Sequence, residues 1–187
     1  MHTRPGVARR FGEAITRFRH AVLIALAVRG AACASEPPPA QPVFASAVRS
    51  APLHFQYQLI DGKNWLGADA LRGHPTVIGF LATYDVASQA QARFLNGLAQ
   101  RLRGRVQIAA VMLERADNRP LIIAFRDGLN LGYPVAMGDA DLISGSGPFG
   151  DVHVVPSTVV LDAEARLVWK KLGLASEEEI EKIVRDL

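Results

Sequence analysis

Nine residues, Pro75 to Thr83, form an almost unbroken apolar run that stops at a helix-start signal. A strand without polar alternation is buried on both faces, so it needs strands beside it and further layers above and below it. The flanking patterns supply them. Residues 86–103 fit an amphipathic helix with Ala90, Phe94, Leu98 and Leu102 on one face. Val106 to Leu113 reads as a second buried strand, and Pro120 to Leu129 as a helix opened by proline. Ser157–Leu161 and Arg166–Leu172 read as two strands joined by the turn Asp162–Ala165. Ser176 and Glu179 have capping-box spacing ahead of a helix whose Ile180, Ile183, Val184 and Leu187 face inward. Upstream, His54 to Ile60 alternates like a strand, Asp61-Gly62 is a hairpin turn signal, and Trp65 lies on the return strand. Trp65 and Trp169 read as core or hairpin residues. Strands alternating with helices and closing on a hairpin and helix predict an α/β sandwich.

Composition agrees with one globular domain plus a tail. Of 187 residues, 49% are hydrophobic and 21% charged, enough apolar material for a core. The net charge of +3 is unevenly placed. Residues 1–33 hold Arg4, Arg9, Arg10, Arg17, Arg19 and Arg29 against Glu13 alone. Setting these against totals of 21 basic and 18 acidic residues leaves 15 and 17 for the remainder. That part has no basic surplus for a nucleic-acid partner.

The basic stretch precedes the apolar run Ala21–Val28, which is too short to span a bilayer, and then small residues. Residues 1–34 therefore read as a signal or leader segment. Two processing routes fit. Ala31-Ala32-Cys33 resembles the end of a bacterial lipobox, with Cys33 acylated, although Arg29 and Gly30 are poor lipobox residues; Ala32-Cys33-Ala34 fits a cut after Ala34. Residues 35–52 form a Pro-rich linker, because Glu36-Pro37-Pro38-Pro39-Ala40-Gln41-Pro42 lacks the amide donors of helix or central strand. The folded domain is then 53–187.

Within that domain, Phe80-Leu81-Ala82-Thr83-Tyr84 followed by a helix is similar to the strand-to-helix corner of TlpA/ResA-type thioredoxin-like proteins, a redoxin family that reads F-W-A-T-W-C-x-x-C there. Leu71-Arg72-Gly73-His74-Pro75 resembles the lead into that strand, and Tyr133-Pro134-Val135 a later short strand. Val155-Pro156-Ser157-Thr158-Val159-Val160-Leu161-Asp162 resembles the family's V-P-T-T-x-x-I-D segment with its cis-proline. The match runs in order through 53–187. It implies a thioredoxin-like sandwich: a central mixed sheet flanked by helices, with the hairpin as an N-terminal extension.

The departure from the family concerns its chemistry. Where the redox cysteines belong the chain has Asp85 and Ser88, and its single cysteine is Cys33. Disulfide exchange needs an attacking thiolate. Gly79 stands where the resemblance implies a buried polar residue, often Asp or Asn. A helix N-terminus favours a carboxylate as it favours a thiolate, so Asp85 reads as an N-cap, with a catalytic or metal-binding role as the alternative. Ser88 reads as a solvated or helix-bonding hydroxyl. His153 is the histidine nearest Pro156 in sequence, but a His153–Asp85 pair lacks the third ligand a metal needs. Gly145-Ser146-Gly147-Pro148-Phe149-Gly150 matches G-x-G-x-x-G in letters only, since it leads into a strand rather than opening a helix.

Neither cofactor nor metal, nor any catalytic residue, is expected. The expected function is that of an exported, periplasmic, lipid-anchored domain without redox activity, holding a protein or peptide partner in a groove of Tyr84, Phe149, Val155 and Pro156. The resemblance also implies the alternative of thiol-disulfide oxidoreductase activity. A glutathione-binding activity through Tyr84 or Ser88 is a third class, without the helical second domain it would need.

Overall fold

The computed structural model describes residues 51–187; the leader, Cys33 and nearly all of the linker lie outside the described residues. Strand β3 (Thr76–Leu81) is buried at every position and occupies the centre of a five-stranded sheet. On one side β3 pairs in parallel with β4 (Gln107–Met112), which pairs in parallel with β5 (Val135–Met137). On the other side it pairs antiparallel with β6 (Ser157–Leu161), and β6 with β7 (Leu167–Leu172). The sheet is therefore mixed. An N-terminal hairpin, β1 (Gln56–Gln58) and β2 (Trp65–Gly67), bridges to β5 through Leu59 and Ala136.

Strand alternation assigns each sheet face its own layer. Val77, Leu81, Ala110, Met112, Val160 and Trp169 pack with helices α2 (Val86–Arg101), α3 (Arg119–Gly128) and α5 (Glu177–Arg185). Ile78, Phe80, Val111, Val159 and Leu161 face the opposite layer. That layer comprises the hairpin, α1 (Ala68–Leu71), α4 (Ala140–Ser144) and the loop that follows it. Ser176 and Glu179 form the expected capping box at the start of α5.

Two sequence expectations about helix faces are corrected. The buried face of α2 is Ser88, Gln91, Ala92, Leu95 and Leu98, while Ala90 and Phe94 are only half-buried. Polar Ser88 and Gln91 hid this stripe from a purely apolar periodicity. Leu187 falls beyond the last turn of α5 and is exposed. The tryptophans fall as expected, Trp65 on the hairpin, where it faces solvent, and Trp169 in the core. Gly145 ends α4 at φ +82, and the glycine-rich segment opens no helix, as its sequence context implied.

Candidate functional site

The C-terminal end of β3 turns sharply into α2 through Ala82, Thr83, Tyr84 and Asp85. Asp85 is the N-cap: its backbone is extended and its Oδ2 accepts the Ser88 amide at 2.6 Å, satisfying one of the orphan donors of the first turn. The carboxylate occupies the spot where the dipole favours negative charge. The Ser88 hydroxyl is fully buried and accepts the Ala82 amide at 3.1 Å. The expectation of a solvated or helix-bonding hydroxyl is thus overturned, because this oxygen ties the helix back to the strand it came from.

One residue of the corner escaped the sequence reading. Glu114, only 4% exposed, accepts the Thr83 amide at 2.5 Å and the Thr83 hydroxyl at 3.1 Å, and Asn118 Nδ2 donates to it at 2.8 Å. The register that pairs Leu81 with Met112 sets Glu114 beside Thr83. An acid directly after a buried strand was the available signal.

Beneath the corner, Gly79 faces α2. A Cβ added there would meet Leu95 Cδ1 at 2.5 Å, so leucine occupies the space that a buried polar side chain would need. Nearby, Gln91 Oε1 accepts the Ala175 amide at 2.7 Å. Gln91 Nε2 and Thr158 Oγ1 are buried without partners among the described residues.

Adjacent to β3, β6 begins at Ser157, opposite Phe80, directly after the Val155–Pro156 peptide, which is cis. The Ser157 hydroxyl donates to Val154 O at 2.5 Å, and the Gly173 amide to Pro156 O at 2.8 Å. Val155 lies between these anchors, and neither of its main-chain groups is hydrogen-bonded among the described residues. Tyr84 and Val86 on the corner are 74% and 78% exposed, and Val154, Leu172 and Leu174 at the same end of the sheet are also exposed.

Phe149 does not join them. It is 1% exposed and its ring centroid lies 5.0 Å from those of Phe55 and Phe80, beneath the loop. Placing it at a groove is corrected: the aromatic neighbours outweigh the glycine and proline context that suggested a surface. Lys170 Nζ donates to Phe149 O and to the Asp151 carboxylate, holding that carboxyl below its ordinary range. His153 packs against Gly145, where its Nδ1 would lie 3.0 Å from an added Cβ. Among the described residues no three His, Cys, Asp or Glu side chains converge as a metal site.

The sequence matches no family model and no curated protein. Solved structures do match. A DsbF homologue from Corynebacterium diphtheriae superposes with a TM-score of 0.67 at 13% identity, covering 81% of this chain and 96% of its own. A thiol:disulfide interchange protein of the thioredoxin family from Chlorobium tepidum gives 0.60 at 22% identity, covering 76% and 98%. The exposed lipoprotein thioredoxin of Streptococcus pneumoniae gives 0.60 at 17%, covering 72% and 100%. The fold is thioredoxin-like. In this thioredoxin-like domain the described residues contain no cysteine, and the strand-to-helix corner presents a capping carboxylate instead.

Proposed function

We propose that the protein is an exported thioredoxin-like module that binds an extended protein or peptide segment at the Tyr84–Asp85 corner and the Val155–Pro156 loop, without thiol chemistry. The observation that carries this is the state of the two positions matching the redox cysteines. Asp85 caps the helix and Ser88 is consumed inside the fold, so neither offers a nucleophile, while exposed Tyr84, Val86 and Val154 sit beside the unpaired main chain of Val155. An apolar rim with a free amide and carbonyl suits strand-like addition of a partner segment, and such pairing requires no sulfur.

Export is supported by the basic and apolar residues of 1–34 and by the linker that follows. The Streptococcus pneumoniae neighbour is an exposed lipoprotein, and a Mycobacterium tuberculosis neighbour of 20% identity is secreted. Attachment through acylated Cys33, and periplasmic location, are part of the same proposal. The neighbours that are disulfide oxidoreductases favour the second reading, catalysis of disulfide exchange. That reading needs a thiolate, and Cys33 is the sole cysteine of the chain.

Photo-crosslinking decides between them. A benzophenone amino acid replacing Tyr84 should capture discrete exported proteins, and insulin reduction by the purified protein should equal background. Dithiol-dependent turnover would overturn the proposal, as would capture at Tyr84 no different from that at exposed Leu121. Mass spectrometry of the membrane fraction should show a mature chain beginning at acylated Cys33; an intact Met1 chain in the cytosol would remove the export claim.

A further inference from the structure

At the other end of the sheet, β4 extends beyond β5. Their pairing begins with Ala110 opposite Val135, and β4 starts three residues earlier. Even-numbered residues of β4 turn their main-chain groups toward β5: Ala110 donates to Pro134 O at 3.0 Å and Met112 O accepts from Gly138 at 2.9 Å. Odd-numbered residues turn toward β3, as Gln107 donating to Pro75 O and Leu113 to Leu81 O show, both at 2.9 Å. Ile108 belongs to the first set. Continued parallel register would give its carbonyl the amide of residue 134 and its amide the carbonyl of residue 132.

The sequence denies it both. Residue 134 is proline and has no N–H. Gly132 leaves the ladder toward α2, donating to Asn96 Oδ1 at 2.8 Å, and Tyr133 follows it, its hydroxyl donating to Ala92 O at 3.1 Å. Ile108 is 6% exposed, and neither main-chain group has a hydrogen-bond partner outside the strand ladders among the described residues. An edge-strand amide and carbonyl without a protein partner offer the main-chain pairing that an added extended segment can complete.

Ile108 lines a cleft of about 430 Å³, walled by Leu66, Leu71 and Tyr133 and rimmed by Arg103 and Asn130. Arg103 is exposed and forms no ion pair among the described residues. Three chemistries therefore converge: one strand-like donor–acceptor pair, an apolar wall and an uncompensated guanidinium. The size suits a small ligand.

We infer that this cleft is a second binding site, which takes the C-terminal end of a peptide chain. An extended peptide unit supplies the N–H for the Ile108 carbonyl and the C=O for its amide; its side chain rests on Leu66 and Leu71, and its terminal carboxylate meets the Arg103 fork. A fatty acid or a phosphate could satisfy the arginine but has no N–H for the carbonyl. The site is independent of the Asp85 corner and lies at the opposite end of β4.

The test titrates the full-length chain with acetyl-Ala-Val-Leu bearing a free carboxylate, with its C-terminal amide, and with decanoate, reading backbone amide resonances. The free acid should shift Ile108 and Gly132, and the amide should bind about tenfold more weakly. Arg103→Ala, on an exposed side chain, should abolish the preference for the acid. Pro134→Ala restores the missing donor for Ile108 and should weaken both peptides about tenfold. No shift at Ile108 with the free acid overturns the inference. So does decanoate binding as tightly as the peptide, or an acid preference that survives Arg103→Ala.

Discussion

Glu114 grips Thr83 at both its amide and its hydroxyl, although the two residues are 31 positions apart. A carboxylate is thereby buried one residue before the exposed Tyr84. The corner is shaped by this cross-strand bond as much as by its own turn.

Glu114→Ala leaves the Thr83 amide unpaired and should cost about 1–3 kcal/mol, read as a lowered urea midpoint. Glu114→Gln, which retains an acceptor, should lose less. Equal stability of all three proteins would show that the bond contributes nothing.

Removing the cap is a separate loss. Asp85→Ala should destabilise by about 0.5–2 kcal/mol, and Asp85→Asn by less. The double variant Asp85→Cys, Ser88→Cys should oxidise to an intramolecular disulfide, counted by thiol titration before and after reduction. A pair that remains two free thiols under oxidising conditions would contradict the geometry assigned to the corner.

The Gly79–Leu95 contact predicts coupling. Gly79→Ala places a methyl 2.5 Å from Leu95 Cδ1 and should cost about 1–3 kcal/mol. Shortening the opposing side chain in the Gly79→Ala, Leu95→Val double variant should recover part of it. Additive losses in a double-mutant cycle would mean the two side chains do not compete for space.

The two aromatics should separate cleanly. Phe149→Ala empties a site in the core and should cost about 3–5 kcal/mol, whereas Tyr84→Ala, on an exposed side chain, should stay within about 0.5 kcal/mol of wild type. Thermal denaturation measures both, and a stable Phe149→Ala protein would contradict its burial.

Acid should loosen α5. Lys171 donates to Glu179, which also accepts the Ser176 amide, and these bonds hold the Glu179 carboxyl below its ordinary value of 4.5. A carboxyl depressed in the folded state stabilises above its unfolded value and loses that contribution as the pH drops through the folded one. Wild type should therefore lose melting temperature below about pH 4.5, and Lys171→Met should flatten that limb. Parallel curves for the two proteins would remove Lys171 from the account.

The sequence made β3 and β4 legible because strands buried on both faces write continuous apolar runs. The capping box at Ser176 was equally plain, since its two members are three residues apart. The short helices α1 and α4 were missed because four and five residues are too few to show a period of 3.6. Ser88 misled because a hydroxyl is expected outside, and Phe149 because glycine and proline surround it. Glu114 depends on the register between two strands, which no local pattern records. The unpaired Ile108 depends on register as well, although Pro134, which removes its donor, is visible in the sequence.

The Leu53 amide donates to Ala165 O in the β6–β7 turn, at the end of the sheet opposite the one that leads into Asp85. The described chain therefore enters the fold at the pole opposite the Tyr84 corner. Immobilisation directly at residue 51 should then present the Tyr84 corner outward to a macromolecule arriving from solution. Ile108 stands near the same end of the sheet as that entry point. A support fixed there should therefore leave the Tyr84 corner the freer of the two surfaces.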